Sequence, residues 1–324
     1  MELYQNSEKY YTDIDGILNK INQYGVAIIP NVLNTEECDN NFNKMCEYFN
    51  YITQNWDIPL NIKNPETYRQ FWNLFPMHSM LIQHWNAGHS QYVWDIRQNE
   101  EIINIFAKIW DCKNDELLVS FDGISFHLPP ETTNRGWFRN LWLHCDQSFT
   151  RNEFECVQGF ITLRDINEGD ATFCFIEKSN NFHKEFAEKF KKKDKTDWCK
   201  LTDDEISYYY QLGCELKRIK APKGSLILWD SRTIHCGVEP LKNRLVPNFR
   251  SIVYLCYMPR YKSTEKQIQK KIKAFENLRM TTHWPCNIKL FPKNPRTYGN
   301  ELKEIREIDF PILNNIGRNL IGYK

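Results

Sequence analysis

Short apolar runs separated by polar or turn residues dominate the chain between residues 116 and 260. Each run is rich in β-branched and aromatic residues and is shorter than a typical helix. The runs are "LLVSFDGISFHL", "NLWLHCDQSF", "CVQGFITLRDI", "ATFCFIE", "KGSLILWD" and "RSIVYLCYM". Strands that recur at this spacing without helices between them predict an antiparallel sandwich or barrel, of which the jelly roll is one standard form.

Helical patterns flank this β-rich region on both sides. In "DIDGILNKINQYG" the apolar residues recur at helical spacing up to Gly25, and the strand-like "VAIIPNVL" follows. Asn34 and Glu37 then have the spacing of a capping box at the start of a helix through "CDNNFNKMCEYFNYI". The stretches "NEEIINIFAKIW" and "TEKQIQKKIKAFENL" predict two more helices, and the proline-containing segment after the second predicts an extended chain packed over the core.

No break in composition marks a second domain, so we expect a single domain over residues 1–324. Its predicted parts are a mainly helical flank at 1–115, a jelly-roll core at 116–260, and a C-terminal helix with an extended segment at 261–324. Within the core, the charged stretch 182–219 is interpreted as a solvated insert, because its basic residues stand beside acids. The predicted fold class is therefore mainly β with α flanks (α+β).

Charge and cysteine content narrow the functional classes. The 324 residues carry 42 basic and 41 acidic side chains, and this balance gives no global field toward nucleic acid or an anionic membrane. The polar N-terminus and the lack of a membrane-length apolar run predict a soluble, cytoplasmic protein. The eleven cysteines include no C-x-x-C pair, so we expect no zinc ribbon. Their odd number and the lack of an export signal favour reduced thiols.

The stretch "NLWLHCDQSFT" places two possible metal ligands, His144 and Asp146, in an apolar strand. Strand residues two apart point to the same face, so both side chains face one target and Cys145 should point away, into the sandwich core. A single H-x-D pattern is weak evidence, and the second match at His183 and Glu185 is interpreted as a coincidence at the surface. A further ligand is needed before a metal site can be predicted.

A second histidine and an arginine much later in the chain provide the missing residues. His235 follows the strand and turn "GSLILWDSRT", and Arg250 opens the strongly β-type run "RSIVYLCYM". Two histidines and one carboxylate occupy one face of an octahedral iron(II) ion and leave the other positions open. An arginine on a neighbouring strand has the planar fork that binds a carboxylate through two hydrogen bonds. The order of His, Asp, His and Arg thus predicts an iron site beside a carboxylate-binding arginine.

These residues make the chain resemble the iron(II)- and 2-oxoglutarate-dependent dioxygenases, in particular the phytanoyl-CoA dioxygenase-like family. The resemblance is carried by "LHCDQS", "GSLILWDSRTIHCG", Arg250 and the opening segment "GVAIIPNVLNTEEC". It implies that His144, Asp146 and His235 bind Fe(II), with 2-oxoglutarate and O2 as co-substrates. It also implies hydroxylation of a C–H bond in a small-molecule or lipid-like substrate, with release of succinate and CO2.

Some positions depart from the family pattern. The family's Pro-Gly-Ser-His turn is replaced here by the residues from Glu177 to His183, and Gly237 stands where many members have a serine that contacts the co-substrate. Arg244 is a rival for the co-substrate carboxylate. We favour Arg250 because the start of an apolar strand buries its stem, whereas Arg244 lies in the polar "PLKNRLVPN" loop.

Substrate contacts are expected outside the strands. Arg135, Trp137 and Arg139, just before the metal strand, are candidate substrate residues, and "QFWNLFPMHSMLIQHWNAGHSQYVW" and "MTTHWPCNIKLF" are candidate pocket walls. Four other histidines are interpreted as structural, namely His78, His84, His89 and His127. Two alternatives stay open: a catalytically silent metal-binding jelly roll that serves as a binding protein, and a hydroxylase of protein or nucleic-acid side groups. Oligomeric state is not predicted.

Overall fold

A computed structural model of the chain describes residues 7–74, 80–297 and 299–323. Its strands are β1 Val26–Ile29, β2 Leu81–Ile82, β3 Leu117–Val119, β4 Ile124–His127, β5 His144–Cys145, β6 Val157–Thr162, β7 Thr172–Ile176, β8 Cys199–Lys200, β9 Leu216–Arg218, β10 Leu226–Asp230, β11 His235–Val238 and β12 Arg250–Pro259. Its helices are α1 Ile17–Tyr24, α2 Thr35–Ile52, α3 Phe71–Leu74, α4 Gln91–Arg97, α5 Glu100–Trp110, α6 Pro130–Thr133, α7 His183–Lys189, α8 Asp203–Gln211, α9 Glu265–Glu276 and α10 Asn315–Ile321.

The strands form two antiparallel sheets. The major sheet has the order β1-β10-β6-β12-β4-β2, and β3 also pairs with β12. The minor sheet has the order β8-β5-β11-β7-β9. Between them, Phe173 of β7 packs against Trp229 of β10, with ring centroids 4.7 Å apart. The predicted fold class is confirmed: a double-stranded β-helix core carries helices around it.

The alternation along β10 shows why this sequence forms a two-sided sheet. Ile227 and Trp229 pack in the cluster between the two sheets, whereas Leu226 and Leu228 pack on the other face of the major sheet. That outer cluster also contains buried residues of α2, α4 and α5, such as Phe49. Because side chains alternate across a strand, apolar residues at every position indicate a strand covered on both faces. The helical flank therefore lies on the major sheet.

The helix boundaries follow the local sequence signals. Asn34 and Glu37 form the predicted capping box at the start of α2, with a hydrogen bond from Asn34 N to Glu37 Oε2 (2.7 Å) and one from Glu37 N to Asn34 Oδ1 (3.0 Å). Gly25 ends α1 with φ of +83°. A Cβ there would lie 2.6 Å from Thr233 Oγ1, so both the left-handed backbone and the close approach favour glycine.

Two segments differ from the expected strands. The run "NLWLHCDQSF" forms a ladder only over His144–Cys145, because the backbone that follows bonds elsewhere: Asp146 N and Gln147 N both donate to Ser231 O. The stretch 182–219 is more than a solvated insert, since it includes β8 and β9 at the two edges of the minor sheet. Its strand β8 pairs His144 with Lys200, so this segment supports the strand that carries His144. In the described part of the chain, no helix has the length and apolar character needed to span a membrane.

Candidate active site

Three possible metal ligands converge at one end of the minor sheet. His144 and His235 are direct cross-strand partners on β5 and β11, and Asp146 follows β5 by one residue. One ligand atom of each residue lies within 4.8 Å of the others. The Nε2 atom of His235 is 3.4 Å from Asp146 Oδ2, and Nε2 of His144 is 3.6 Å from Asp146 Oδ1. All three residues are buried.

Contacts behind the two histidines set their orientation. Nδ1 of His144 lies 3.3 Å from Trp142 O, and Nδ1 of His235 lies 2.9 Å from Thr233 O. Such a carbonyl holds the proton on Nδ1 and leaves Nε2 free to bind a metal. The indole of Trp142 stacks on His144 at 4.7 Å, and Phe173 stacks on His235 at 5.2 Å. Both imidazoles are therefore held with Nε2 toward Asp146.

Asp146 is held by a residue of the opposite sheet. Gln158 of β6 donates from Nε2 to Asp146 Oδ2 at 3.0 Å. The next residue, Gln147, accepts from Ser231 Oγ at 2.9 Å and donates to Arg151 O and Glu153 O, also at 2.9 Å. These bonds fix the turn that follows the ligand strand.

The electrostatics of the three side chains suit a divalent cation. Burial lowers the pKa of His144 to about 4, with a further contribution from His235. Burial by itself would raise the pKa of Asp146, but the neighbouring imidazoles of His144, His283 and His235 hold it well below its usual range. Iron(II) binds neutral imidazole and ionised carboxylate, so the lowered pKa values of His144 and Asp146 fit the implied metal.

Arg250 lies in the same cavity as the three ligands, whereas Arg244 does not. Arg250 Nε donates to Ser125 Oγ at 2.9 Å, and Nη1 donates to Ala171 O at 3.3 Å. The guanidinium of Arg244 instead forms a bidentate ion pair with Glu131 and bonds Asp170. Arg250 thus lies beside the predicted ligand set, whereas Arg244 forms ion pairs with Glu131 and Asp170.

The cavity has a volume of about 190 Å³ and lies between the two sheets. Its polar lining includes residues that the sequence did not single out: Gln83, Asp122, Gln158, Glu239, Tyr254 and His283. A signal was present for Gln158, because a polar residue at an inward position of the apolar "CVQGFITL" is unusual. His283 belongs to the "MTTHWPCNIKLF" segment predicted as a wall, but its sequence context gives no sign of a site.

The remaining candidates lie elsewhere or have structural contacts. Arg135, Trp137 and Arg139 are not among the cavity-lining residues; Arg135 lies over the ring of Trp72 at 4.7 Å. Gly237 does line the cavity, and its carbonyl accepts from Trp142 Nε1 at 2.8 Å. The other histidines fall outside the cavity lining (His84, His89 and His127) or outside the described residues (His78).

The interpretation of His183 as a surface residue was wrong. Its side chain is buried, stacks on Phe149 at 4.5 Å, and lies 3.8 Å from the sulfur of Cys145. Burial lowers the pKa of His183 to about 4. Cys145 points away from the ligands as predicted, but it packs in the cluster with Phe186 and Tyr209 of α7 and α8 rather than between the sheets.

Comparisons with known proteins agree with this architecture. A profile of the phytanoyl-CoA dioxygenase (PhyH) family matches residues 21–239. "Ava biosynthesis cluster protein O" of Aspergillus versicolor is 30% identical over 210 residues, which are 62% of this chain and 65% of that protein. The matched region therefore spans slightly less than two thirds of that relative.

Two solved structures show the same fold at low sequence identity. The GlcNAc-inducible protein GIG2 of Candida albicans has a TM-score of 0.58 at 14% identity, over 85% of this chain and 73% of that one. The hypothetical protein JW0805 of Escherichia coli, solved at high pH, has a TM-score of 0.59 at 15% identity, over 97% and 85% of the two chains. At such identities the likeness shows the fold alone.

Proposed function

Because the chain belongs to the phytanoyl-CoA dioxygenase family, we propose that it is an iron(II)- and 2-oxoglutarate-dependent dioxygenase that hydroxylates a C–H bond of a small molecule. One observation carries the proposal. Three ligand atoms from His144, Asp146 and His235 lie within 4.8 Å of one another, in a cavity that also contains Arg250. A packing role alone would not require an arginine beside a buried set of metal ligands.

In this proposal, Nε2 of His144, Nε2 of His235 and a carboxylate oxygen of Asp146 hold the iron. A set of two histidines and one carboxylate would leave further coordination positions for a co-substrate, and all three residues line the cavity. Bound iron, 2-oxoglutarate and O2 supply the oxidising power and yield succinate, CO2 and the hydroxylated product. A carboxylate at Asp146 favours hydroxylation, because it fills the position that related halogenases leave for halide.

Arg250 would bind the far carboxylate of 2-oxoglutarate. Its guanidinium is oriented by Ser125 Oγ and Ala171 O and lies over the ring of Phe160, 5.5 Å from the centroid. A guanidinium held in place on two sides loses little further freedom when it forms a bidentate pair. The chain thus supplies a fixed anchor for the co-substrate.

Apolar walls keep the reacting centre dry. Phe160, Phe173 and Trp229 line the cavity and are buried. Excluding water strengthens the electrostatic contacts of the site and limits side reactions. The rings therefore protect the metal face, while Gln158 keeps Asp146 in the ligating orientation.

A small-molecule substrate is the finer part of the proposal. The name of the Aspergillus versicolor relative assigns that protein to a biosynthesis cluster, which supports a small metabolite. The cavity of about 190 Å³ also suits a compact substrate group rather than a nucleic-acid strand.

A cytoplasmic location is likewise proposed, in keeping with free thiols at all eleven cysteines.

Metal binding tests the proposed ligand set. Anaerobic equilibrium dialysis against Fe(II) should give one iron per chain for the wild type and a large loss of affinity for His144→Ala and His235→Ala. Arg244→Ala is the matched control, since Arg244 lies outside the cavity lining and should leave iron binding intact. Full iron binding by both histidine variants would contradict the assignment.

A further inference from the structure

The buried acids of the chain show one exception to charge pairing. Within residues 7–74, 80–297 and 299–323, six Asp and Glu residues are more than nine-tenths buried: Asp122, Asp146, Asp170, Glu177, Glu205 and Asp230. Five of them have a Lys, Arg or His nitrogen within 4.0 Å. In the described parts of the chain, Asp122 has no such cation.

The Asp122 carboxylate is held on one side and open on the other. Its Oδ1 atom accepts from Gln83 Nε2 at 3.1 Å and from Gly123 N at 2.6 Å. Oδ2 has no hydrogen-bond donor among the residues that the structure describes. Arg97 donates to the main-chain oxygen of Asp122 at 2.6 Å, and its charge favours the ionised form of the carboxyl, but its guanidinium forms no ion pair with the carboxylate.

This open carboxylate belongs to the cavity that holds the candidate metal ligands. His283 lies on the same lining, and its buried Nε2 has no partner within the described residues. His283 lies close to both Asp122 and Asp146. Two polar atoms without partners thus lie on the wall near the metal ligands.

We infer that the substrate carries a positively charged nitrogen group, and that this group binds Asp122 Oδ2 and donates a hydrogen bond to Nε2 of His283. The inference rests on the proposed function and names the substrate class for the same site. Buried charges in proteins are normally paired. Four of the other buried acids receive a Lys or Arg charge from the chain, and Asp146 would receive the charge of iron. A substrate ammonium would give Asp122 a cation of its own.

The charges of the site with iron and 2-oxoglutarate bound also favour a cationic substrate group at Asp122. Iron(II) and Arg250 carry positive charges that 2-oxoglutarate and Asp146 together balance, so neither is left over for Asp122. Burial raises the pKa of the Asp122 carboxyl above its usual range, and a cation bound at Oδ2 would oppose this shift. Glu239, the third acid on the lining, is partly exposed and therefore has less need of a ligand charge.

A pair of probes of nearly equal size, n-butylammonium and 1-butanol, tests the inference. The protein is loaded with Fe(II) and saturating 2-oxoglutarate without oxygen, and binding of each probe is measured by calorimetry. We expect the ammonium to bind at least tenfold more tightly than the alcohol in the wild type. Asp122→Asn, which keeps the shape of the side chain, should remove this preference and leave 2-oxoglutarate binding unchanged.

The control variant is Asp57→Asn, which removes an exposed acid and should keep the wild-type preference for the ammonium. Equal or tighter binding of 1-butanol, or failure of n-butylammonium to bind at tens of millimolar, would overturn the inference. Retention of the full preference for the ammonium by Asp122→Asn would also overturn the inference. These outcomes leave the iron and 2-oxoglutarate site intact, whereas failure of the protein to bind 2-oxoglutarate at all contradicts the proposed function itself.

Discussion

His144 and His235 stand on strands of two and four residues, whereas Gln158 and Arg250 stand on strands of six and ten. The two walls of the cavity are therefore held in different ways. The long strands of the major sheet are fixed by their ladders and by the helical layer behind them. The short ligand strands have few ladder bonds, so ring stacking and side-chain hydrogen bonds must hold the metal ligands in place.

The comparison predicts that changes on the two walls have separable effects. A change at Arg250 should weaken co-substrate binding and spare the metal. A change in the contacts around the ligands should weaken metal binding even when the ligands themselves are kept.

Arg250→Ala is expected to have the largest effect, a loss of 2-oxoglutarate affinity. Loss of the buried charge pair should weaken 2-oxoglutarate binding by about 3 kcal/mol, or about a hundredfold, while iron affinity stays close to wild type. Calorimetric titration of 2-oxoglutarate into the iron-loaded protein measures the first, and titration of Fe(II) into the metal-free protein measures the second. Arg244→Ala is the control: it removes ion pairs to Glu131 and Asp170, so it should lower thermal stability and keep 2-oxoglutarate affinity.

Gln158→Leu tests whether the metal ligands of the minor sheet depend on a contact from the major sheet. The variant removes the donor to Asp146 Oδ2 and keeps similar bulk, so iron affinity should fall about tenfold to a hundredfold. Competition with a chelator of known affinity measures the change. If iron affinity were unchanged and only 2-oxoglutarate binding fell, the role of Gln158 in holding Asp146 for the metal would be wrong.

Trp198→Ala should have the smallest effect. Trp198 precedes β8 and its ring lies 5.9 Å from that of His144, but half of its side chain is exposed. Substitutions at exposed positions usually change stability by less than about 0.5 kcal/mol, so iron affinity should change by about twofold or less. A loss as large as that of Gln158→Leu would show that the exposed ring, rather than the β8 ladder, supports His144.

The predictable part of the molecule is the part with local or periodic signals. Spacing of two along a strand placed His144 and Asp146 on one face, and the capping pattern at Asn34 marked the start of α2. The order of His235 and Arg250 became informative through the family resemblance. The structure brings all four of these site residues to one cavity.

The remaining features depend on contacts between distant segments. Asp122, Gln158 and His283 meet in space although long stretches of chain separate them, and no local pattern marks such a meeting. The strands β8 and β9 were missed because they are short, charged edge strands without apolar alternation. Nearness in sequence to the metal strand suggested Arg135, Trp137 and Arg139 as substrate residues. Such nearness does not fix a position in space, and these residues are not among those that line the cavity.

The visible spectrum of the anaerobic complex tests the central claim most directly. Addition of Fe(II) and then 2-oxoglutarate to the wild-type protein should produce the weak charge-transfer band of the chelated co-substrate. Asp146→Ala should abolish or greatly weaken this band, because it removes the carboxylate of the ligand set. Absence of the band and of any 2-oxoglutarate binding in the wild-type protein would contradict the account.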